Sequence, residues 1–223
     1  MKNKPGNVVH PSQREKTIQK DISSPYALPK DRDITSLHKF PTPVHSSGTP
    51  SKSAGHRKEV TGLRQLFETQ LKELYSAEKA FTGTLPRMIQ NASSGELTDT
   101  LKQHLSITKD HLDRCEDVFT TLRLPNNVKT PEAMKGLMNE THELMKVTTG
   151  SVRDAGIISA AQKVKHYEIA SYGTLAAFAR QLGETKVASI LEESLAEEKV
   201  ADAILSEVAE KSVNKAAVEA QAF

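Results

Sequence analysis

From Thr61 onward the apolar residues of this chain recur every three or four positions, and nowhere do they alternate as in a strand. That spacing marks amphipathic helices, whose stripes can be buried only by packing helix on helix. Four long stretches carry the pattern. The first, about Gly62 to Gln90, sets Leu63, Leu66, Phe67, Leu71, Leu74, Phe81 and Leu85 on one side, and Pro86 within it predicts a kink or a break near its end. In the turn "NASSGE", Ser93 and Glu96 have capping-box spacing for the second helix, which carries Leu97, Leu101, Leu105, Leu112, Cys115, Phe119 and Leu122 and stops before Pro125.

Thr130 and Pro131 read as the cap and first turn of a shorter helix bearing Met134, Leu137, Met138, Leu144 and Met145. The third long helix spans about Val152 to Leu182, with Gly183 placed to end it, and the fourth about Thr185 to Glu210. Short turns join helices one to two and three to four. The segment 124–151 is too long for a tight turn, so it is the crossover between the two hairpins. The expected fold is all-α: an antiparallel four-helix bundle over residues 59–213, with a crossover containing a short extra helix. This is the ferritin-like connectivity. Residues 214–223 read as a frayed end.

Composition divides the chain at about residue 58. Seven of its ten prolines and eleven of its Lys and Arg residues precede that point, against four acids, giving the first 58 residues a charge of about +7 and the rest about −5. Without apolar periodicity, this Pro- and Ser-rich segment is read as a disordered basic tail. A basic tail suggests loose electrostatic contact with DNA, and a solvated tail with no such partner is the plainer alternative. No long apolar span or secretory signal is visible, so the expectation is a cytoplasmic protein without membrane contact. The single Cys115 fits a reducing compartment and reads as a small core residue. Phosphate-binding glycine loops, nucleophile elbows, CxxC and HExxH are all lacking.

The chemistry lies in acids at core positions. In "AQKVKHYEIASYG", Glu168 interrupts the stripe Ile157, Ala161, Val164, Ser171, Leu175, Phe178, Leu182. Glu78 stands seven residues after Leu71 and seven before Leu85; Glu198 has the same relation to Leu191 and Leu205. The second helix offers His104 and His111, seven apart, with Thr108 between them on the same face. Counted from the turns at ~1.5 Å per residue, the three glutamates share one level, with His104 close by and His111 some 7 Å off. Carboxylates converging in a core repel one another and each loses its hydration; a cation removes both problems. The candidate metal ligands are therefore Glu78, His104, Glu168 and Glu198. His111 and Asp202 are secondary candidates, and Tyr172, one turn past Glu168, is a hydrogen-bond donor to the ligands. Oxygen with imidazole nitrogen suits iron or manganese, and zinc also.

The segments "LYSAEKAFTGTLPRM", "AAQKVKHYEIASYGTLAAFARQLG" and "ESLAEEKVAD" resemble the YciE/YciF family of bacterial ferritin-like proteins, over about residues 60–213. The resemblance implies a ferritin-like bundle, commonly dimeric, associated with stress responses and metal binding. By position, Glu78 falls in "AEK", Glu168 in "HYE" and Glu198 in "EEK". The chain departs from the pattern on helix two, where Ser106 and Ile107 follow His104 in place of acids. It departs again on helix four, where Ala201 stands three residues after Glu198. Two functional readings follow. One is a metal-binding stress protein with weak oxidative or ferroxidase-like chemistry. The other is a non-catalytic dimeric bundle, an interaction module with a vestigial metal site, whose basic tail contacts DNA or a protein partner.

Overall fold

The computed structural model of the chain describes residues 60–126 and 130–220; the basic tail and the expectations attached to it lie outside the described residues. Helices α1 (Leu63–Asn91), α2 (Gly95–Leu122), α4 (Gly150–Gln181) and α5 (Thr185–Val208) form the bundle. Helix α3 (Glu132–Val147) lies in the crossover and packs on α4 and α1. Among the described residues there is no strand. The molecule is an all-α bundle with the ferritin-like connectivity.

Polar contacts at the helix ends set the directions. Asp154, in the first turns of α4, accepts hydrogen bonds from Ser93 N (2.8 Å), Ser93 Oγ (2.6 Å) and Ser94 N (2.9 Å) in the α1–α2 turn. At the other end Arg64 pairs with Glu184 at 2.6 Å, so α1 begins where α4 ends. The two are antiparallel neighbours. Arg114 joins Glu197 to close α2 onto α5, and the helices follow one another around the bundle as α1, α2, α5, α4.

Several local expectations are corrected. The cap of α2 is Ser94, whose Oγ accepts from Leu97 N, because Ser93 is drawn to Asp154 instead. Helix α1 runs unbroken through Pro86, which lies on the exposed side, where water can serve the Thr82 carbonyl that a proline leaves unpaired. Pro131 rather than Thr130 caps α3, and neither makes a side-chain cap. Gly183 ends α4 as expected: with φ +77 it lets Gly183 N reach Arg180 O and Glu184 N reach Ala179 O. Past Val208 the chain continues through a π-helical turn (Ala209–Val213) into α6 (Asn214–Glu219) where a frayed end was expected. Buried Val213 and bonds from Ser212 to Glu96 and from Ser151 to the Ala216 carbonyl hold it.

The interior is layered. One apolar cluster gathers Phe81, Leu85, Leu97, Leu101, Ile157, Val164 and Leu205 toward the α1–α2 turn. The other gathers Phe67, Leu71, Leu74, Val118, Phe119, Leu175 and Leu191 toward the α4–α5 turn. Between them lies a belt of fully buried polar side chains. That belt is the site.

Candidate metal centre

Each bundle helix contributes to the belt at mid-length. α1 supplies Glu78, α2 Thr108 and His111, α4 Lys165, Glu168 and Tyr172, and α5 Glu198; none is more than 1% exposed. One ligand atom from each of Glu78, His111 and Glu198 lies within 4.8 Å of the others. His111 Nδ1 is 3.0 Å from Glu198 Oε1 and 3.5 Å from Glu78 Oε1, yet makes a hydrogen bond to neither. Ligands at ~2.0–2.2 Å from a common ion stand about 3.0–3.5 Å apart, so the two distances from Nδ1 are compatible with a shared ion. Glu78 Oε1 accepts the Tyr172 hydroxyl at 2.7 Å, while Glu78 Oε2 has no hydrogen-bond partner. On the outer side of the ring, His111 Nε2 contacts Glu197 Oε2 at 2.8 Å, and Arg114 grips Glu197 through two bonds of 2.5 and 3.0 Å. An imidazole held from behind by a carboxylate presents its other nitrogen in a fixed direction, as metal-ligating histidines do. The residues present fit a divalent metal ion.

The belt also contains a cation of its own. Lys165 Nζ lies 2.8 and 3.0 Å from the two oxygens of Glu198 and 3.0 Å from Glu168 Oε2, over the Phe81 ring at 4.8 Å. Burial would lower its pKa, but Glu168, Glu198 and Glu78 outweigh that and hold it above the ordinary lysine value. Burial would likewise lower His111, yet contact with Glu198 and Glu78 raises it to about 10. Glu168 is pushed well above the carboxylate range by burial and by the Glu78 charge, with Lys165 offsetting part. Burial would raise Glu198 too, but His111 and Lys165 hold it below that range. Burial and the Lys165 charge lower His104 to about 4, so it is neutral at pH 7.

Of the residues singled out in the sequence, Glu78 and Glu198 meet, and they meet His111. Glu168 lies in the same belt but faces Lys165, and its Oε1 has no partner. His104 is 2% exposed with both ring nitrogens unpartnered, outside the Glu78–His111–Glu198 group. Asp202 faces outward instead, bonded by Gln162 and His166. Tyr172 donates to Glu78. Reasoning from sequence missed Lys165, Glu197 and Arg114. For Lys165 a signal exists: it stands one residue after the stripe residue Val164 and three before Glu168, the spacing of a helical ion pair.

Fold and belt together define a class: a helical bundle that buries carboxylates, an imidazole and an ammonium between two apolar halves. Residues 62–218 match the family described as "Domain of unknown function (DUF892)". The chain is 41% identical over 160 residues to protein YciF of Escherichia coli (strain K12), covering 70% of this chain and 95% of that one. Its structure matches the crystal structure of the E. coli stress protein YciF with a TM-score of 0.67 at 40% identity, covering 70% of this chain and 99% of that one. YcfI of Rhodopseudomonas palustris matches with a TM-score of 0.65 at 34% identity, over 68% and 97% of the two chains. This chain belongs to the DUF892 family, to which the resemblance to YciF-like proteins pointed.

Proposed function

We propose that the chain binds a divalent transition-metal ion through Glu78, His111 and Glu198, iron or manganese being favoured and zinc accommodated, and that this serves a stress response. The observation that carries the reading is His111 Nδ1, buried between two carboxylates without an aligned hydrogen bond to either. Two carboxylates and one imidazole form a donor set for these metals. When bound, such an ion supplies a Lewis-acidic or redox centre whose three protein ligands leave coordination positions free. The chain's own residues do the rest. Glu197 and Arg114 aim the imidazole, Tyr172 fixes one oxygen of Glu78, and the two apolar clusters exclude water. The stress role is supported by relationship to E. coli YciF, which is described as a stress protein. Among the described residues no helix is long and apolar enough to cross a membrane. The test is elemental analysis of protein purified without chelators, beside Glu78→Ala and Glu198→Ala. Metal in the wild type and its loss in both variants is expected. Wild-type protein that carries no metal, and whose melting temperature ignores added Fe(II), Mn(II) and Zn(II), would overturn the reading.

One observation favours the second reading, a non-catalytic homodimeric interaction module with a vestigial site whose basic tail contacts DNA or a protein partner. Lys165 already neutralises part of the carboxylate charge without any metal. In that case removing residues 1–58 abolishes a salt-sensitive DNA shift, while Glu78→Ala leaves it intact.

A further inference from the structure

With all three belt carboxylates ionised, the state a bound cation favours, they bear three negative charges, and one ammonium with one divalent ion balances them. The same ammonium with two divalent ions would leave two positive charges in excess, buried between apolar layers, which is costly. Ferritin-like two-metal centres avoid this by drawing a Glu-x-x-His pair from each of two helices. Here both pairs are incomplete. Thr108 stands three residues before His111, fully buried, its hydroxyl oxygen without a partner, and Ala201 stands three after Glu198. Lys165 Nζ instead lies within 3.0 Å of Glu168 and of both Glu198 oxygens, contacts a second metal ion would otherwise make. Nearby polar atoms have no partner: Glu168 Oε1 and both ring nitrogens of His104, the latter 2% exposed.

We propose that the Lys165 ammonium is a built-in second cation, which fills the place between Glu168 and Glu198 that a second metal ion would take, limits the centre to one ion and masks a latent second metal position. The inference deepens the metal-binding reading and rests on it. A lysine tethered to α4 cannot dissociate, so the belt keeps part of its charge balance when metal is scarce.

The test is the metal stoichiometry of wild-type protein and Lys165→Ala, by equilibrium dialysis against Mn(II) or Co(II) and elemental analysis, with circular dichroism to confirm folding. One equivalent in the wild type and two in the folded variant is the expected result. One equivalent in both, with unchanged affinity, overturns the lysine inference and leaves the metal reading standing. Two equivalents in the wild type do the same. No metal in the wild type but metal in Lys165→Ala overturns the metal reading and keeps the cation replacement. No metal in either folded protein removes both. Should Lys165→Ala unfold in chelator, its refolding on addition of Co(II) supports the proposal; if it stays unfolded, the wild-type stoichiometry decides, one equivalent for the proposal and two against.

Discussion

The two apolar halves of the bundle and the polar belt between them are equally deeply buried, yet they are held by opposite rules. Phe81, Leu85 and Leu101 on one side, and Phe67, Leu71 and Leu175 on the other, are at most 1% exposed and gain stability simply by leaving water. Glu78, His111, Lys165, Glu168 and Glu198 are as deeply buried and are stable only through their partners. Apolar packing is forgiving of who the neighbour is. A buried charge is not.

The largest effects should separate the two regions. Phe67→Ala is expected to cost about 3–5 kcal/mol by transfer and cavity terms, read by urea unfolding, while leaving the metal stoichiometry unchanged. Glu198→Ala should cost a similar amount in metal-free protein, about 3–5 kcal/mol, because Lys165 and His111 lose the carboxylate they share. It should also abolish metal binding. If Phe67→Ala removed the metal, or Glu198→Ala kept it, the division into packing ends and a binding belt would not hold.

Asp154 offers an intermediate case, a buried acid at a helix end that serves architecture alone. Its carboxylate takes two backbone N–H groups and one hydroxyl from the α1–α2 turn. Asp154→Ala leaves these donors without their acceptor and should cost about 2–3 kcal/mol. Metal affinity should stay within error of wild type, since no ligand touches the turn. A thermal melt with and without Mn(II) checks both halves: the same increment of stabilisation by metal as in the wild type is expected.

The fold was legible because long apolar stripes and short turns leave few alternatives, and the four bundle helices begin and end within about two residues of where the periodicity puts them, with a π-helical turn and α6 following the last. Glu78 and Glu198 were legible too, because an acid at heptad spacing within a stripe stands out. The histidine that meets them was harder, and the ranking of His111 below His104 has a geometric cause. The α1–α2 turn is centred near residue 93, so Glu78 is level with Thr108, between the two histidines. Side chains lean toward the N-terminus of their helix. On antiparallel helices that carries Glu78 away from the turn and His111 back toward it, so the two meet, while His104 leans off. Lys165 was easy to pass over for another reason, despite its spacing from Glu168. A lysine beside an apolar stripe ordinarily runs its stem along the core and puts its ammonium in water; only the carboxylates of two helices, seen together, show a charge that stays inside.

Glu197 tests the rim of the belt against its centre. It touches no ligand atom of the carboxylate group but holds His111 from behind, with 36% of its side chain exposed. Glu197→Gln should weaken metal affinity about 10–100-fold, the usual loss on removing an outer partner of a ligating histidine. Unfolding free energy should barely move, because the group is solvated and the Arg114 contacts are screened. A calorimetric titration beside a urea melt distinguishes this from Glu198→Ala, where both quantities fall together.

The smallest effect is one of protons, and its sign is set by the belt. In metal-free protein the carboxylates of Glu198 and Glu78 overcome the burial that would lower His111 and raise its pKa to about 10. At neutral pH Nδ1 therefore carries a proton that a metal must displace. Below pH 10 each rise of one pH unit should strengthen binding by about tenfold, one proton leaving per ion, and the dependence should flatten above that value. The apolar halves contribute nothing to such a slope. Manganese titrations between pH 6.5 and 8.5, repeated in buffers of different ionisation enthalpy, read the released proton directly. A flat profile would mean that Nδ1 is already free, and that the two carboxylates do not hold the imidazole in its charged form.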